Sequence, residues 1–269
     1  MLIRVSAISY LNTLPFVYGL MNHPVYEKIE LTFSTPEASA RDLIEGRVDI
    51  GIVPSAVIPQ IGVNNIISDY CIGADGKVAS VLLCSGVEVK DIEKVYLDSE
   101  SRTSVMLSRI LFRNHWKIDP SYSPFEASKS EIDTDKSYIL IGDKALLNAD
   151  KFRFVYDLAE EWIKFRRLPF VFACWTSNRK LEDSFIKEFN DALAFGLDNI
   201  ENSLRTLPHI FDYTFAYNYL KNNIVFKWNL DITLYRYIIF VYFLKFKLII
   251  EIDLLHNRMY LMKTIISLA

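Results

Sequence analysis

The stretch "SAISYLNTLP", residues 6–15, decides how the chain is read. An apolar run of strand type stops at Ser9-Tyr10, passes through Asn12 and Thr13, and restarts as a helix at Pro15. The same change of period recurs. "IELTFS" is strand-like, Pro36 opens the helical "PEASARDLIEGR", and "VDIGIVPSAVI" is a continuous apolar run ending at Pro54. Proline suits a first helical turn, whose leading N–H groups lack partners, and Gly19 and Gly46 stand near the predicted helix ends. Further on, "KVYLD" precedes the helical "SRTSVMLSRILFRNHW", "SYILIGDKALL" and "FRFVYDLAEEWIKF" each run from strand into helix, and "LPFVFACW" is another buried strand. Strands alternating with helices predict an α/β fold built on a parallel sheet covered by helices on both faces.

Two stretches read differently. In "NNIISDYCIGADGKVASVLLCS" two β-rich runs flank Asp75-Gly76, which predicts a hairpin. Phe185, Phe189, Leu193 and Leu197 recur every fourth residue, the stripe of a long amphipathic helix. No repeat of fixed period is present. The inferred arrangement is two α/β lobes, the second inserted into the first. Residues 1–84 form the first part of lobe one, 85–175 form lobe two, and 176–269 return to lobe one with C-terminal helices; the crossings fall near 85–92 and 168–176. A small molecule would bind in the cleft between the lobes, where strand ends meet helix N-termini.

A chain of 269 residues, 51% of them apolar, supports an extensive core. Its 30 Lys+Arg and 33 Asp+Glu are interspersed and give a net charge of −3, so nothing suggests a nucleic-acid partner. An anionic ligand must be gripped by local features instead. Cys71, Cys84 and Cys174 are odd in number and widely spaced, and read as core thiols of a reducing compartment. The strand-like opening "MLIRVSAI" lacks the segments of a secretory signal, so a cytoplasmic location is expected. "LYRYIIFVYFLKFKLII", residues 234–250, is interrupted by Arg236, Lys245 and Lys247. Its uncharged run falls short of the roughly 20 residues a membrane span needs. No membrane partner is expected; the stretch reads as a buried helix or strand, or as a subunit contact of a homodimer.

The polar residues at strand ends are the candidates for chemistry, and each has a plainer reading. In "YLDSESRTSVML" a strand ends at Asp98, and Ser101 to Ser104 fall where a helix starts, so free N–H groups and hydroxyls converge as in an anion site. Ser101, Thr103 or Ser104 acting only as a helix cap is the alternative. Asn12 reads as a cap or as a site amide, and Tyr10 as a core ring or as a pocket wall with a hydroxyl to offer. Ser80 is polar within an apolar strand. Asp143, after Gly142 in "IGDKAL", is a helix cap by default, with Gly142 allowing close backbone approach. The histidines at 23, 115, 209 and 256 are scattered without ligand spacing, so no metal site is predicted. There is no G-x-G-x-x-G, no G-x-x-x-x-G-K-[ST] and no G-x-S-x-G, and no cofactor is implied. What remains suits a small, carboxylated organic ligand.

Taken together, "SYLNTLP", "EGRVDIGIVPSA", "SVLLCS", "LDSESRTSVMLSRIL", "IGDKAL" and "DLAEEW" followed by "LPFVFACW" resemble the chorismate dehydratases of the futalosine route to menaquinone, in the family's order over roughly residues 3 to 200. The resemblance implies the two-lobed fold of type II periplasmic binding proteins with a ligand cleft between the lobes. It also implies a cytoplasmic lyase that removes water from chorismate to give 3-[(1-carboxyvinyl)oxy]benzoate. Carried over by position, it implies catalytic roles for Asn12 and Ser80, and a substrate carboxylate on Thr103 and Ser104. Ser9, Tyr10, Gly142 and Asp143 are placed along the cleft, and the substrate's own side-chain carboxylate is the suggested base. The chain departs from the pattern where Arg166 and Arg167 replace a Thr-Gly pair, and where the aromatic sequence after about residue 225 begins. The readings that compete are the sister enzyme 1,4-dihydroxy-6-naphthoate synthase and a cytoplasmic protein that binds a small carboxylate without catalysis.

Overall fold

In the computed structural model, residues 2–61, 65–98, 100–125 and 131–227 are described; the aromatic stretch at 234–250 lies outside them. Strand β1 (Ile3–Ile8) pairs in parallel with β2 (Ile29–Ser34) and β3 (Ile50–Pro54), and the sheet continues through β10 (Phe170–Ser177), β4 (Ile66–Ala74) and β11 (Val225–Lys227) in the order β11-β4-β10-β3-β1-β2. A second sheet has the order β7-β6-β8-β5-β9, from β5 (Val81–Ser85), β6 (Lys94–Asp98), β7 (Ser121–Phe125), β8 (Ser137–Ile141) and β9 (Phe154–Asp157). The continuous apolar runs become strands buried along their whole length, as in β3, β5, β8 and β10.

Three features differ from the sequence reading. The sheets are mixed, because β10 runs antiparallel to β3 and β4, and β5 antiparallel to β8 and β9. Asp75-Gly76 does not close a hairpin: β4 stays in the first sheet, β5 enters the second, and the turn between them is a crossing. Both crossings come earlier than predicted, at 75–80 and 158–169, so the divisions at 84/85 and 175/176 fall inside β5 and β10. A uniformly apolar strand carries no mark of which sheet it joins, and that is the reason for all three.

The helices follow their sequence signals. Pro15 stands in the first turn of α1 (Leu14–Met21). In α2 (Pro36–Ile44) the Thr35 hydroxyl accepts from the Ala38 N–H at 3.3 Å. Helix α4 (Arg102–Leu111) ends earlier than predicted and passes into a π-type turn over Phe112–Trp116. Asp157 caps α6 (Leu158–Arg166), which stops at Arg167 in the left-handed region, φ +56°, where the resemblance led to a glycine. Both Arg166 and Arg167 are exposed. On α7 (Asp183–Asp198) Phe185, Phe189 and Leu193 are buried and Leu197 is half-buried. Gly19 and Gly196 let α1 and α7 meet backbone to backbone, since a Cβ on Gly196 would stand 1.9 Å from the Pro15 carbonyl oxygen. Beneath them Trp175 packs edge-on against Phe16 and Phe189, and burying each phenyl ring contributes about 1.5–3 kcal/mol. The three cysteines are buried, and no helix among the described residues is long and apolar enough to cross a membrane.

Opposite the C-terminal end of β1, one carboxylate gathers the first sheet. Asp49 accepts from Arg4 N at 2.9 Å, Arg4 Nη2 at 3.0 Å and Arg179 Nε at 3.2 Å. Burial opposes the Asp49 charge, but the bonds from Arg4 and Arg179 outweigh it and hold the carboxyl down to about 2. A folded-state value below the unfolded one contributes stability above the ordinary carboxylate range, lost as pH falls toward 2. Urea unfolding of the wild type between pH 4 and pH 2 should therefore show a fall in stability whose steepness Asp49→Asn reduces. Equal pH slopes for the two proteins would refute this assignment.

Candidate functional site

The ends of β1, β6 and β8 and the start of β5 meet along the seam between the sheets. After β1 a single turn over Leu11–Thr13 is fixed by Thr13, whose hydroxyl donates to the Tyr10 carbonyl at 2.8 Å. Asn12 is therefore not a cap. It is half-buried, and its turn packs against α9 (Tyr213–Asn222).

Ser80 lies just before β5 rather than within it, and it is buried. Its Oγ accepts from Tyr219 Oη at 2.8 Å, and its carbonyl accepts from Gly142 N at 2.8 Å. The preceding residue, Ala79, has φ +60°, a left-handed conformation that costs an L-residue about 1–2 kcal/mol and persists only where the surroundings impose it. Asp157 imposes it: Oδ2 accepts from Ala79 N at 2.7 Å, while Oδ1 accepts from Ala159 N and Glu160 N at the start of α6. Burial raises the Asp157 carboxyl and these N–H bonds pull against it.

Gly142 opens α5 (Gly142–Asn148) with φ +57°, and a Cβ there would stand 2.7 Å from the Tyr10 ring. The ring lies flush on the backbone as a result. Asp143 does not cap α5; its Oδ1 accepts from Leu11 N at 3.0 Å, reaching across the seam. Burial raises its carboxyl, with the Leu11 bond and His209 opposing. The Tyr10 phenol donates to Glu100 Oε2 at 2.8 Å, and burial foremost, then the Glu100 charge, push it well above its ordinary value. Lys144 Nζ donates to Glu100 Oε2 at 2.8 Å and to the fully buried Asp98 Oδ2 at 3.3 Å.

Through Glu100 this set adjoins the start of α4. Ser101 is the cap there, accepting from Ser104 N at 3.3 Å. The buried Thr103 hydroxyl accepts from Ala56 N at 3.2 Å and donates to the Phe172 carbonyl at 3.1 Å, so it ties α4 to the first sheet and its one proton is committed. Arg102 pairs with Glu37 of α2 at 3.1 Å rather than standing free in solvent. The structure thus brings Asn12, Ser80, Gly142, Tyr10 and Asp143 into one linked group, with Thr103 and Ser104 beside it. Ser9 is exposed and lines a cavity of about 500 Å³ together with Tyr10, Leu14, Phe33, Asp143, His209 and Ile210.

Sequence reasoning missed Glu100, Lys144, Asp157 and Tyr219. The first three stand inside or beside the quoted motifs, and their charge after a strand end was the available signal. Tyr219 lies 139 positions from Ser80, with no local cue.

Residues 3–220 match the model of a family described as menaquinone biosynthesis. A chorismate dehydratase from Thermus thermophilus is 26% identical over 193 residues, 62% of this chain and 71% of that protein. Protein AF1704 from Archaeoglobus fulgidus aligns with a TM-score of 0.58 at 14% identity, covering 88% of this chain and 86% of that one. The periplasmic aliphatic sulphonate binding protein of Escherichia coli aligns with a TM-score of 0.53 at 16% identity, over 91% and 92%. A Candida albicans protein with the generic periplasmic binding protein fold aligns with a TM-score of 0.51 at 14% identity, over 84% and 82%. At these identities the structural likeness is one of fold, and the α/β fold is of the periplasmic-binding-protein kind.

Gly142→Ala must lower stability twice over, through the left-handed backbone, about 1–2 kcal/mol, and through the clash with the Tyr10 ring. Urea unfolding should show a larger loss in the wild-type background than in Tyr10→Ala, where only the backbone part remains. Equal losses in the two backgrounds would refute the ring contact.

Proposed function

This chain belongs to the menaquinone biosynthesis family, and we propose that within it the protein is a chorismate dehydratase, a carbon–oxygen lyase acting in the cytoplasm on the futalosine route. The observation that carries the reading is the buried hydrogen bond of Tyr219 to Ser80, with Gly142 on the Ser80 carbonyl and the turn of Asn12 packed against the same helix, because it gathers residues that the resemblance assigns to the site along one seam. On this reading the two sheets are two lobes and the seam is the closed cleft between them.

The chemistry asks for positioning more than for driving force. Chorismate loses a ring hydroxyl and the neighbouring ring proton: the C–H electron pair becomes the new double bond, the C–O bond breaks, and the hydroxide leaves as water after taking up a proton. The ring becomes aromatic, so the products are favoured, and the protein has to hold both carboxylates and keep the enolpyruvyl arm from competing rearrangement. Ser80 and Asn12 are assigned to the departing hydroxyl, and the substrate's side-chain carboxylate to the ring proton. Asp98, Glu100, Asp143 and Asp157 outnumber Lys144 along the seam, so a substrate carboxylate is assigned to the N-terminal turn of α4 at Thr103 and Ser104 rather than to side-chain cations. Since the Thr103 proton is committed to Phe172, Ser104 and the backbone N–H groups of the turn are the donors in this scheme.

The reading is tested by mixing purified protein with chorismate and following product mass by liquid chromatography and mass spectrometry. A protein-dependent product lighter by one water, with an aromatic spectrum, is expected, and Asn12→Ala should lose it. Binding without turnover would point to a carrier of small carboxylates, and turnover only of the sister enzyme's substrate would point to 1,4-dihydroxy-6-naphthoate synthase. Either result would refute the dehydratase.

A further inference from the structure

Tyr219 is 3% exposed, yet its hydroxyl is satisfied by a side chain, Ser80, rather than by a backbone carbonyl. That partner is one of the two residues that the proposed reaction uses on the departing hydroxyl. The helix that delivers the phenol is anchored at each end. Asp212 caps α9 by accepting from Phe215 N at 3.1 Å, and beyond its last turn Asn223 Nδ2 donates to the Lys77 carbonyl at 2.9 Å. Lys77 belongs to the turn that carries Ala79 and Ser80, so the helix bearing the phenol is tied to the segment bearing the serine. Burial first, with the Asp143 and Asp157 charges behind it, holds the phenol well above its ordinary value, and it stays a donor at any working pH.

A serine hydroxyl has one proton and two lone pairs. With Tyr219 Oη donating to Ser80 Oγ at 2.8 Å, one lone pair is filled and the serine proton is left for another partner. We propose that Tyr219 is a positioning residue that sets the polarity of Ser80: the phenol gives its proton to the serine oxygen, and the ligand therefore meets a serine donor. The assignment rests on the dehydratase reading and adds to it a residue and a direction. In the elimination, Ser80 donates to the oxygen of the departing hydroxyl, easing the breaking of the C–O bond.

The test is Tyr219→Phe, which removes one oxygen and leaves the ring. Expected is a fall in kcat for chorismate dehydration of about 10- to 100-fold, with KM changed by less than about threefold, because the lost contact acts on the reacting hydroxyl and not on the carboxylates. A double variant, Ser80→Ala with Tyr219→Phe, should be no slower than Ser80→Ala alone, since the phenol acts through the serine. A merely structural phenol would give losses that multiply. Wild-type kcat in Tyr219→Phe, multiplying losses, or a Tyr219→Phe protein that does not fold would each overturn the proposal while the wild type still turns chorismate over. A folded wild type without turnover would overturn the dehydratase reading and this assignment with it.

Discussion

The close approach of the Tyr10 ring to Gly142 is the contact on which the seam depends. A side chain at 142 would push the ring away, and with it would go the bonds that flank it: Leu11 N to Asp143 on one side and the Tyr10 phenol to Glu100 on the other. The same glycine uses its own N–H to hold the Ser80 carbonyl, so the position of Ser80 is set partly by the residue that seats Tyr10. A left-handed backbone is what allows one residue to do both, and glycine adopts it without the steric cost that Ala79 bears on the other side of Ser80.

The two ends of the first sheet have different tasks. At one end Asp49 binds Arg4 and Arg179, and Asn178 Nδ2 donates to the Leu43 and Val48 carbonyls, which closes the chain around the starts of β1 and β3. At the other end β1 runs out into the turn that carries Tyr10 and Asn12. Along the seam, by contrast, three carboxylates, Asp98, Asp143 and Asp157, are raised by burial. Such groups cost stability when ionised, and that pattern is common where side chains serve a site.

Much of this could be read in advance because its signals are local. Pro15, Pro36 and Ser101 mark helix starts that are seen where expected, and the fully apolar runs give the buried strands. Strand direction and sheet membership were not legible, since β5 and β10 are buried from end to end and only long-range pairing distinguishes their neighbours. The site was half legible. Gly142 and Ser80 stand where strand ends meet the seam, but Asp143 reads as a helix cap and instead reaches Leu11, 132 positions away in the chain. Tyr219 has no motif around it, and its part emerges only when α9 folds back onto the turn before β5.

The account turns on the seam, rather than the apolar cavity beside α1, being the ligand site. A crystal structure of the protein with 3-[(1-carboxyvinyl)oxy]benzoate tests that most directly. The account predicts the aromatic ring beside Asn12 and Ser80, with a carboxylate on the first turn of α4 at Ser104. Product seated instead among Leu14, Phe33 and Ile210, touching neither Asn12 nor Ser80, would contradict it.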